Sequence, residues 1–286
     1  MKTPREYFQK RRAVLATMHG KEKIIAPLLA EAFALDVFVP SVMDTDRFGT
    51  FTRDIKRPAD QRATARLKAL KAMEITGADL GIASEGSFGV HPSMPFAPSN
   101  TEIVILIDRI HDLEILGGYL SLHTHMHHAT VTSVAEAIAF ATSHDFPRHG
   151  LILRRSERSV RGMQKDIASI TELEKEVSTM LRWSWRKSVF LETDMRADRN
   201  PTRCINIEKA AADLICKMNC LCPTCGIPGF DYGEIRKGLP CRHCNLPTGN
   251  VLSHLYRCKK CGYEKEKVFP YGKEHADPGQ CQFCNP

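Results

Sequence analysis

The apolar residues of this chain alternate between short continuous runs and longer stretches in which they recur every three or four positions. Runs such as 12–17 (RAVLAT) and 101–108 (TEIVILID) are typical of buried strands. The stretch 22–35 instead has its apolar residues at helical spacing. Because the two patterns keep alternating to about residue 218, we expect an α/β fold with a mixed or largely parallel sheet flanked by helices.

The patterns also give the expected order of elements. Strands are predicted at 12–17, 36–40, 79–84, 101–108, 113–122, 150–155 and 188–193. Helices are predicted at 22–35, 59–76, 133–144, 163–183 and 205–218. The α/β domain is therefore expected to span 1–218, and a different kind of sequence follows it.

Cysteines dominate this C-terminal part. The chain has eleven cysteines, and eight of them form four C-x-x-C knuckles. Two knuckles can place four thiolates around one tetrahedral Zn²⁺ in a closed, structural site. The spacing allows sequential pairing of the knuckles, and equally a cross-braced pairing of first with third and second with fourth. We expect a double zinc-ribbon module at 219–286 that binds two Zn²⁺ through Cys222, Cys225, Cys241, Cys244, Cys258, Cys261, Cys281 and Cys284.

The overall composition narrows the function only slightly. Hydrophobic residues make up 43% and charged residues 26%, as in ordinary globular proteins. No apolar run approaches the roughly 18 residues of a membrane span, and the N-terminal segment lacks the apolar stretch of a signal peptide. We therefore expect a cytoplasmic protein without a membrane partner. The formal net charge of +7 falls by about 4 once eight thiolates bind two Zn²⁺, so it argues only weakly for nucleic acid.

Polar residues collect where the predicted strands end, which is where open α/β sheets bind ligands. The first cluster lies between the strand at 12–17 and a helix, whose free N–H groups and dipole would attract phosphate. The second lies in the loop after 36–40 and has carboxylates that could bind Mg²⁺ or form an Asx turn. These clusters contribute the candidate ligand residues Thr17, His19 and Lys21 and the candidate catalytic residues Asp44 and Asp46.

Two further clusters lie later in the chain. One follows the strand at 79–84 and sets a carboxylate among small residues, where a substrate could approach closely. The other joins the strand at 188–193 to the next helix and contains arginines, whose forked guanidinium groups suit phosphate. They add the candidate catalytic residues Glu85 and Asp194 and the candidate ligand residues Ser84, Ser87, His91, Arg196, Asn200 and Arg203.

A histidine-rich run, 123–128, follows the strand at 113–122. On a strand, His123, His125 and His127 would share one face and could form a metal site. The run has no acidic neighbour in the sequence, and its last residues, His127 and His128, are expected to lie in a loop. The sequence therefore leaves open whether the run binds a metal ion or is a loop without one.

Several segments together resemble an uncharacterised bacterial family of domains of unknown function, in which an α/β domain precedes a cysteine-rich tail. These segments are ATMHGKE, DTDRFGTF, ASEGSFGVHP, LETDMRADRNPTR and LCPTCGIPGF…LPCRHCNLPT. The likeness spans nearly the full chain. It implies the two-part architecture but no reaction.

The order of parts over about 12–108 is also distantly similar to that of the inosine/xanthosine triphosphate pyrophosphatases. LATMHGKEK, ATARLKALKA and IASEGSFG occupy the places of that family's phosphate loop, lysine-rich helix and acidic turn. The resemblance implies that Thr17 and Lys21 contact phosphate, that Lys68 faces the site, and that Glu85 binds Mg²⁺ or acts as a base. Glu-Gly-Ser at 85–87 replaces that family's Asp-Asp-Ser-Gly, and the cysteine-rich tail has no counterpart in it.

These features favour a magnesium-dependent nucleotide-binding or phosphohydrolase domain that carries a structural zinc module. In such an enzyme carboxylates would hold Mg²⁺, and the cations at the strand ends would bind a nucleotide's phosphates. The alternative is a non-enzymatic protein that binds nucleic acid or another protein through its zinc ribbons. Their basic residues are Arg242, Arg257, Lys259, Lys260 and Lys265.

Overall fold

The structure is a computed structural model that describes residues 2–41 and 60–286 of the 286-residue chain. It contains two compact units. The larger unit is formed by residues 9–215, and the smaller unit by residues 1–8 together with 216–286. The candidate magnesium ligands Asp44 and Asp46 lie outside the described residues. In the described ranges, no helix is long and apolar enough to cross a membrane.

Helices and strands follow the order that the sequence patterns indicate, with several additional elements. The helices are α1 (Pro4–Phe8), α2 (Glu22–Phe33), α3 (Gln61–Thr76), α4 (Val134–Ser143), α5 (Ile170–Trp183) and α6 (Pro201–Asn219). The strands are β1 (Arg12–Ala16), β2 (Asp36–Phe38), β3 (Leu80–His91), β4 (Met94–Asp108), β5 (Leu113–Ser121), β6 (His128–Val131), β7 (Leu151–Arg154), β8 (Val189–Thr193), β9 (Asp231–Lys237), β10 (Val251–Arg257) and β11 (Glu264–Val268).

The larger unit is built on a five-stranded mixed sheet in the order β2-β1-β3-β4-β5. Strand β1 pairs in parallel with β2 and β3, whereas β3, β4 and β5 pair antiparallel in sequence order. Parallel pairing of β1 with β3 requires a long crossover, and the segment containing α2 and α3 supplies it. The predicted α/β fold with a mixed sheet flanked by helices is thereby confirmed.

Helices cover both faces of this sheet. Helix α3 buries Ala69 and Met73 against one face, where Leu116 of β5 also packs. Because successive side chains of a strand point to opposite faces, the neighbouring Gly117 faces the other way. Helix α6 lies on that second face, close to the backbone of β5.

Strand β3 is longer than predicted, which changes the setting of two candidate residues. The sequence pattern indicates a strand end at residue 84, but β3 continues to His91 because it pairs with β4 along its whole length. Glu85 and Gly86 therefore lie inside a strand, opposite Ile103 and Glu102. The predicted strand end at residue 84 is wrong.

A second sheet of the larger unit has the order β6-β8-β7 and is antiparallel throughout. Its apolar residues share one core with those of α4 and α5. Helix α5 begins at Ile170 rather than at 163, because Ser169 caps it by accepting a hydrogen bond from the Glu172 N–H. Before the cap the chain is not helical, and Gln164 forms a bridge with Leu153.

The smaller unit contains an antiparallel sheet in the order β11-β10-β9. Its main apolar cluster is small: Phe230 packs with Tyr256 and Tyr263 beside the buried Cys222 and Cys258. So small a core cannot by itself offset the conformational entropy lost on folding. Metal ions or other cross-links are therefore expected to stabilise this unit.

Gly117 tests the packing of α6 on the sheet. A Cβ on Gly117 would overlap the backbone of Ala210 and Leu214, whereas one on Gly118 would lie 3.8 Å from Cγ2 of Ile103. We expect Gly117→Ala to lower the free energy of unfolding by about 1–3 kcal/mol, because the helix must move away. Gly118→Ala is the matched control and should change it by less than about 0.5 kcal/mol. Urea unfolding measures both, and equal effects would contradict this packing.

Candidate functional site

A buried lysine lies at the end of β1. Gly20, with a φ of 70°, turns the chain after β1, and Lys21 then occupies the N-cap position of α2. The Lys21 side chain is buried, and its Nζ donates to the carbonyl oxygen of Ser84 at 3.0 Å and to the Ser84 Oγ at 3.4 Å. Because Ala16 pairs with Ala83 in parallel register, the chain continues with Thr17 beside Ser84. Three of the predicted ligand residues therefore meet here.

The Thr17 hydroxyl is an unsatisfied group within this site. Thr17 is 6% exposed, and its Oγ1 has no hydrogen-bond partner among the described residues. A buried hydroxyl without a partner typically costs about 1–3 kcal/mol, so such groups are rare in folded proteins. A ligand oxygen would supply the missing partner.

A buried ion pair joins β4 to α6 on the same face of the sheet. Nε of Arg203 donates to Oε1 of Glu102 at 2.8 Å, and both side chains are almost fully buried. Nδ2 of Asn100 donates to the same carboxylate at 2.9 Å, and Asn206 in turn donates to Oδ1 of Asn100 at 2.8 Å. Only a glycine fits at 86, since a Cβ there would lie 2.5 Å from Nη2 of Arg203.

The sequence analysis did not identify Glu102, Asn100 and Asn206 as candidate site residues. Asn100 precedes the strand predicted at 101–108 and Glu102 is its second residue, a place where polar residues normally mark a strand end. Asn206 follows Arg203 by three positions in α6, so the two lie on one helix face, although the predicted helix began only at residue 205. That spacing is the signal that could have indicated Asn206.

The predicted residues Lys68 and Glu85 form a separate ion pair. Nζ of Lys68 contacts Oε1 of Glu85, and both side chains are buried. Alternation along β3 sets Glu85 on the α3 face, with Ala83 of the α3 core, and Ser84 on the α6 face. Gln61 holds this end of the sheet by donating to the carbonyl oxygens of Glu85 and Thr101, each at 2.8 Å. The ion pair and the Lys21 site are thus on opposite faces.

The charges of these groups act on Lys21. Burial and the nearby positive charge of Arg203 together lower the pKa of Lys21 to about 8, against the opposing effects of Glu102 and Glu85. Lys21 makes no ion pair within 4 Å in the described part of the chain. It is therefore a buried cation whose charge no contacting carboxylate neutralises.

The junction between β8 and α6 is held by ion pairs of its own. Arg196 donates to both carboxylate oxygens of Asp194 and also to Asp166, so these hydrogen bonds raise its pKa although burial opposes them. Asn200 donates to the Asp194 carbonyl oxygen and accepts from the Arg203 N–H. Arg196 and Asp194 are therefore already paired with each other.

The remaining predicted ligand residues lie outside this group. Nδ1 of His19 is 3.9 Å from Oδ1 of Asp198. The Ser87 carbonyl oxygen accepts a hydrogen bond from Asn100. His91 lies six residues beyond Glu85 along the strand, which is about 20 Å at 3.4 Å per residue. The structure thus brings Thr17, Lys21, Ser84 and Arg203 to one side of the sheet and leaves His91 remote.

The eight knuckle cysteines form two compact groups. One consists of Cys222, Cys225, Cys258 and Cys261, and the other of Cys241, Cys244, Cys281 and Cys284. Sulfur atoms of different knuckles are 3.6 Å apart in the first group and 3.7 and 3.8 Å apart in the second. A tetrahedron with Zn–S bonds of about 2.3 Å has sulfur–sulfur edges of about 3.8 Å. The groups could therefore form two zinc sites.

The pairing of the knuckles is cross-braced. The first knuckle shares its site with the third, and the second shares its site with the fourth. Backbone N–H groups point at the sulfur atoms, as in His243 N–H to Cys241 at 3.4 Å, and such bonds lower the pKa of Cys241 to about 7. Nδ1 of His243 also lies 3.5 Å from the Cys284 sulfur, next to the ligands rather than among them.

Residues 68–286, well over half of the chain, match the family described as Domain of unknown function (DUF6671). The chain belongs to the DUF6671 family. The resemblance to a domain-of-unknown-function family is thereby confirmed, whereas the similarity to the pyrophosphatases stays a prediction. The DUF6671 match includes Lys68, Glu85, Arg203 and all the knuckle cysteines, while Thr17 and Lys21 precede it. No curated protein matches the chain.

Within the DUF6671 region, four histidines from two segments lie together near the starts of β6 and β7. The ring of His125 stacks on that of His149 with centroids 3.8 Å apart, and His127 stacks on His144 at 4.1 Å. Residues 123–127 form a loop, as expected for His127, whereas His128 begins β6 and its expected loop position is wrong. The set His123, His125 and His127 therefore does not assemble on one strand face. Among the described residues, the groups whose donor atoms all lie within 4.8 Å of one another are the two cysteine groups.

Double substitutions of cysteine test the cross-braced pairing. With this pairing, Cys222→Ser/Cys258→Ser removes ligands from one site and should leave one Zn²⁺ per chain. Cys222→Ser/Cys241→Ser instead disrupts both sites and should leave none. Sequential pairing predicts the reverse in both cases. Mass spectrometry of the intact native protein counts the bound ions, and the reverse result would contradict the structure.

The histidine cluster predicts a loss of stability in mild acid. Burial and neighbouring imidazoles lower the pKa of His127 and His144, and burial and His125 lower that of His149. In the unfolded chain a histidine has a pKa of about 6.5, and in the folded protein these three have lower pKa values. Their stabilising contribution is therefore complete above pH 6.5 and is lost as the pH decreases from about 6.5 towards the pKa values of the folded state. The urea concentration at the midpoint of unfolding should therefore decrease as the pH is lowered from 7.5 to 5.5.

The double variant His127→Gln/His144→Gln should reduce this pH dependence, because two titrating groups are removed. The control is His91→Gln at the end of the β3–β4 hairpin, which should leave the dependence unchanged. A double variant with the full pH dependence of the wild type would show that other groups cause it.

Proposed function

We propose that the larger unit binds a phosphate-bearing small molecule, most simply a nucleotide, at the end of β1, and that the smaller unit holds two structural Zn²⁺. The observation that carries the first part is the pair formed by Lys21 and Thr17. Among the described residues, the buried ammonium group of Lys21 contacts no carboxylate, and the buried hydroxyl of Thr17 has no hydrogen-bond partner; Ser84 neighbours both residues. Both groups would be satisfied by one anionic oxygen ligand.

The charge balance of the region supports an anion. Lys21, Lys68 and Arg203 are cations, whereas Glu85 and Glu102 are the carboxylates that pair with two of them. A buried excess positive charge is costly unless something neutralises it. A bound phosphate would do so, and it would raise the pKa of Lys21 towards the ordinary lysine value.

The position of helix α2 supports the same ligand. The helix has 12 residues and begins directly after Lys21, whose side chain turns to Ser84 and does not cap the N–H groups of the first helical turn. The N-terminal N–H groups of such a helix and its dipole favour negative charge. The phosphate would therefore meet a side-chain cation, a hydroxyl and backbone N–H donors at one end of the sheet.

The finer form of the proposal is magnesium-dependent hydrolysis of a nucleoside phosphate. It assigns Mg²⁺ to Glu85 together with Asp44 or Asp46, and phosphate contacts to the arginines of the β8–α6 junction. In the described structure Glu85 is paired with Lys68 and lies on the opposite face of the sheet from Lys21, so this form would require Lys68 to release the carboxylate and the metal to reach the phosphate from the other face. Binding is therefore the primary proposal, and hydrolysis is its extension.

For the smaller unit we propose two closed four-thiolate zinc sites with a structural role. Such sites leave no open position for a substrate. All eleven cysteines lie in the described residues and none forms a disulfide, which fits a reducing compartment such as the cytoplasm. Nucleic-acid binding by the ribbons stays a prediction, since Arg257 is paired with Glu264, and Arg236 with Glu234 and Glu266.

Substitutions at Lys21 and Thr17 test ligand binding. A panel of nucleoside triphosphates is titrated into the zinc-loaded protein by calorimetry, with and without Mg²⁺. We expect Lys21→Met to weaken binding about 10- to 100-fold, because a charged hydrogen bond contributes about 1.5–3 kcal/mol. Lys71→Met, at an exposed lysine of α3 that pairs with Glu74, is the matched control and should bind normally.

Thr17→Val should separate binding from folding. The substitution replaces an unsatisfied buried hydroxyl by a methyl group of similar size, so the unliganded protein should be as stable as the wild type or more stable. Ligand binding should nevertheless weaken. Normal binding by both Thr17→Val and Lys21→Met would contradict the assigned site.

The hydrolytic extension has its own assay. Phosphate release from each nucleotide is measured with Mg²⁺ for the wild type and for Glu85→Gln. Loss of turnover with retained binding in Glu85→Gln would support it. Binding without turnover in the wild type, or equal turnover in both proteins, would remove Glu85 from catalysis and leave the binding site intact.

A further inference from the structure

Both tryptophans of the chain project into solvent from one edge of the larger unit. Trp183 ends α5 and is 81% exposed, and Trp185 lies two residues beyond it and is 85% exposed. Tryptophan side chains are normally well buried, because they carry the largest apolar surface of any residue. Two such rings exposed beside each other indicate a binding surface.

The turn that carries the two rings is ordered by its own hydrogen bonds. The Ser184 N–H donates to the Leu181 carbonyl oxygen at 3.2 Å, and Ser184 Oγ donates to the Ser188 carbonyl oxygen at 2.9 Å. The Lys187 N–H donates to the Ser184 carbonyl oxygen at 3.1 Å. A defined turn therefore presents the indole rings to solvent.

A cleft lies next to the rings, between the C-terminal half of α5 and the segment 155–164. Its volume is about 450 Å³, within the range of small-ligand sites, and its lining includes Gln164, Met180, Trp183 and Trp185. A second cleft of about 330 Å³ shares Arg155, Ser156 and Arg186 with it. We call these two adjoining clefts together the tryptophan cleft.

The surroundings of the tryptophan cleft are strongly basic. Residues 155–164 and 176–187 carry six exposed cations and only two carboxylates, Glu157 and Glu176. None of the six makes an ion pair within 4 Å in the part of the chain that the structure describes. The guanidinium of Arg186 lies 4.8 Å from the centre of the Trp185 ring. The six are Arg155, Arg158, Arg161, Arg182, Arg186 and Lys187.

We propose that the tryptophan cleft binds single-stranded nucleic acid, with bases stacked on Trp183 and Trp185 and phosphates bound by the surrounding arginines. Exposed aromatic rings among cations are the two components that single strands require. Arg155, Arg158 and Arg186 line the tryptophan cleft together with the rings, and this positive charge favours a polyanion over a neutral partner. In a duplex the faces of the bases are covered by stacking on one another and cannot stack on the rings, so a single strand is favoured. This proposal does not depend on the Lys21 site.

The tryptophans themselves report binding, because the chain has no others. The full-length, zinc-loaded protein is titrated with twenty-nucleotide poly-dT and poly-U and with a blunt DNA duplex. We expect both single strands to quench the tryptophan fluorescence and the duplex to bind at least about 10-fold more weakly. The two single strands distinguish DNA from RNA as the preferred ligand.

Two matched double variants separate stacking from phosphate binding. Trp183→Ala/Trp185→Ala, followed by anisotropy of a labelled poly-dT strand, should weaken binding at least about 30-fold, because each stacked base contributes about 1–3 kcal/mol. Phe96→Ala, at an 88% exposed ring on β4, should bind as the wild type does. All these side chains are exposed, so the thermal midpoint should not change.

Removing two arginines should instead change the salt dependence. For single strands the logarithm of the binding constant falls with the logarithm of salt concentration by about 0.7 per phosphate contact. Arg155→Ala/Arg186→Ala should therefore reduce the slope by about 1.4. Lys71→Ala/Arg148→Ala, which removes two exposed cations outside the tryptophan cleft, should leave the slope unchanged.

Several results would overturn the proposal. These are no quenching by either strand, unchanged affinity of the tryptophan double variant, or an equal loss in Phe96→Ala. Quenching by anionic phospholipid vesicles without binding of poly-dT or poly-U would show that the surface is a membrane contact. Tighter binding of the duplex than of the single strands would exclude stacking.

Discussion

The larger unit depends on one buried ion pair, formed by Glu102 of β4 and Arg203 of α6. Their side chains are 0% and 1% exposed. Removing two charges from water costs several kcal/mol for each ion, so the pair is tolerated only if nearby polar groups satisfy it. Asn100 donates to the carboxylate, and the guanidinium donates to the Met195 carbonyl oxygen at 2.7 Å. Loss of one partner alone would leave an uncompensated charge in the core, which typically costs about 3–5 kcal/mol.

This ion pair also sets the chemistry of the candidate site. Because Glu102 already neutralises Arg203, the remaining positive charge of that face is on Lys21, and Arg203 lowers the pKa of Lys21 by its proximity. The same pair ties α6 and the β8–α6 junction to the sheet, since Arg203 contacts both. The end of β1 is thus a rigid, buried and positively charged environment. An anion would stabilise this region by supplying interactions that the described part of the protein does not make.

Local patterns were sufficient for much of this account. The apolar periodicities indicated the α/β fold, the C-x-x-C spacing indicated the metal ligands, and Gly-Lys before a helix indicated Lys21. Contacts between distant segments could not be derived in this way. Spacing allows either pairing of the knuckles, and only the folded chain shows the cross-brace. Glu102 resembled the polar flank of a strand, and His144 and His149 have no sequence link to His125. The length of β3 was misjudged because its apolar run stops at residue 84, while pairing with β4 extends the strand to His91.

The charge state of Lys21 tests the central claim most directly. Nuclear magnetic resonance of selectively ¹⁵N- and ¹³C-labelled lysine, assigned with Lys21→Arg, follows the titration of its Nζ with and without nucleotide. The account predicts a pKa of about 8 in the unliganded protein. It also predicts a rise of that pKa when a phosphate-bearing ligand binds, because a nearby anion favours the ammonium form. An ordinary lysine pKa that no nucleotide or inorganic phosphate alters would contradict a buried anion site at this position.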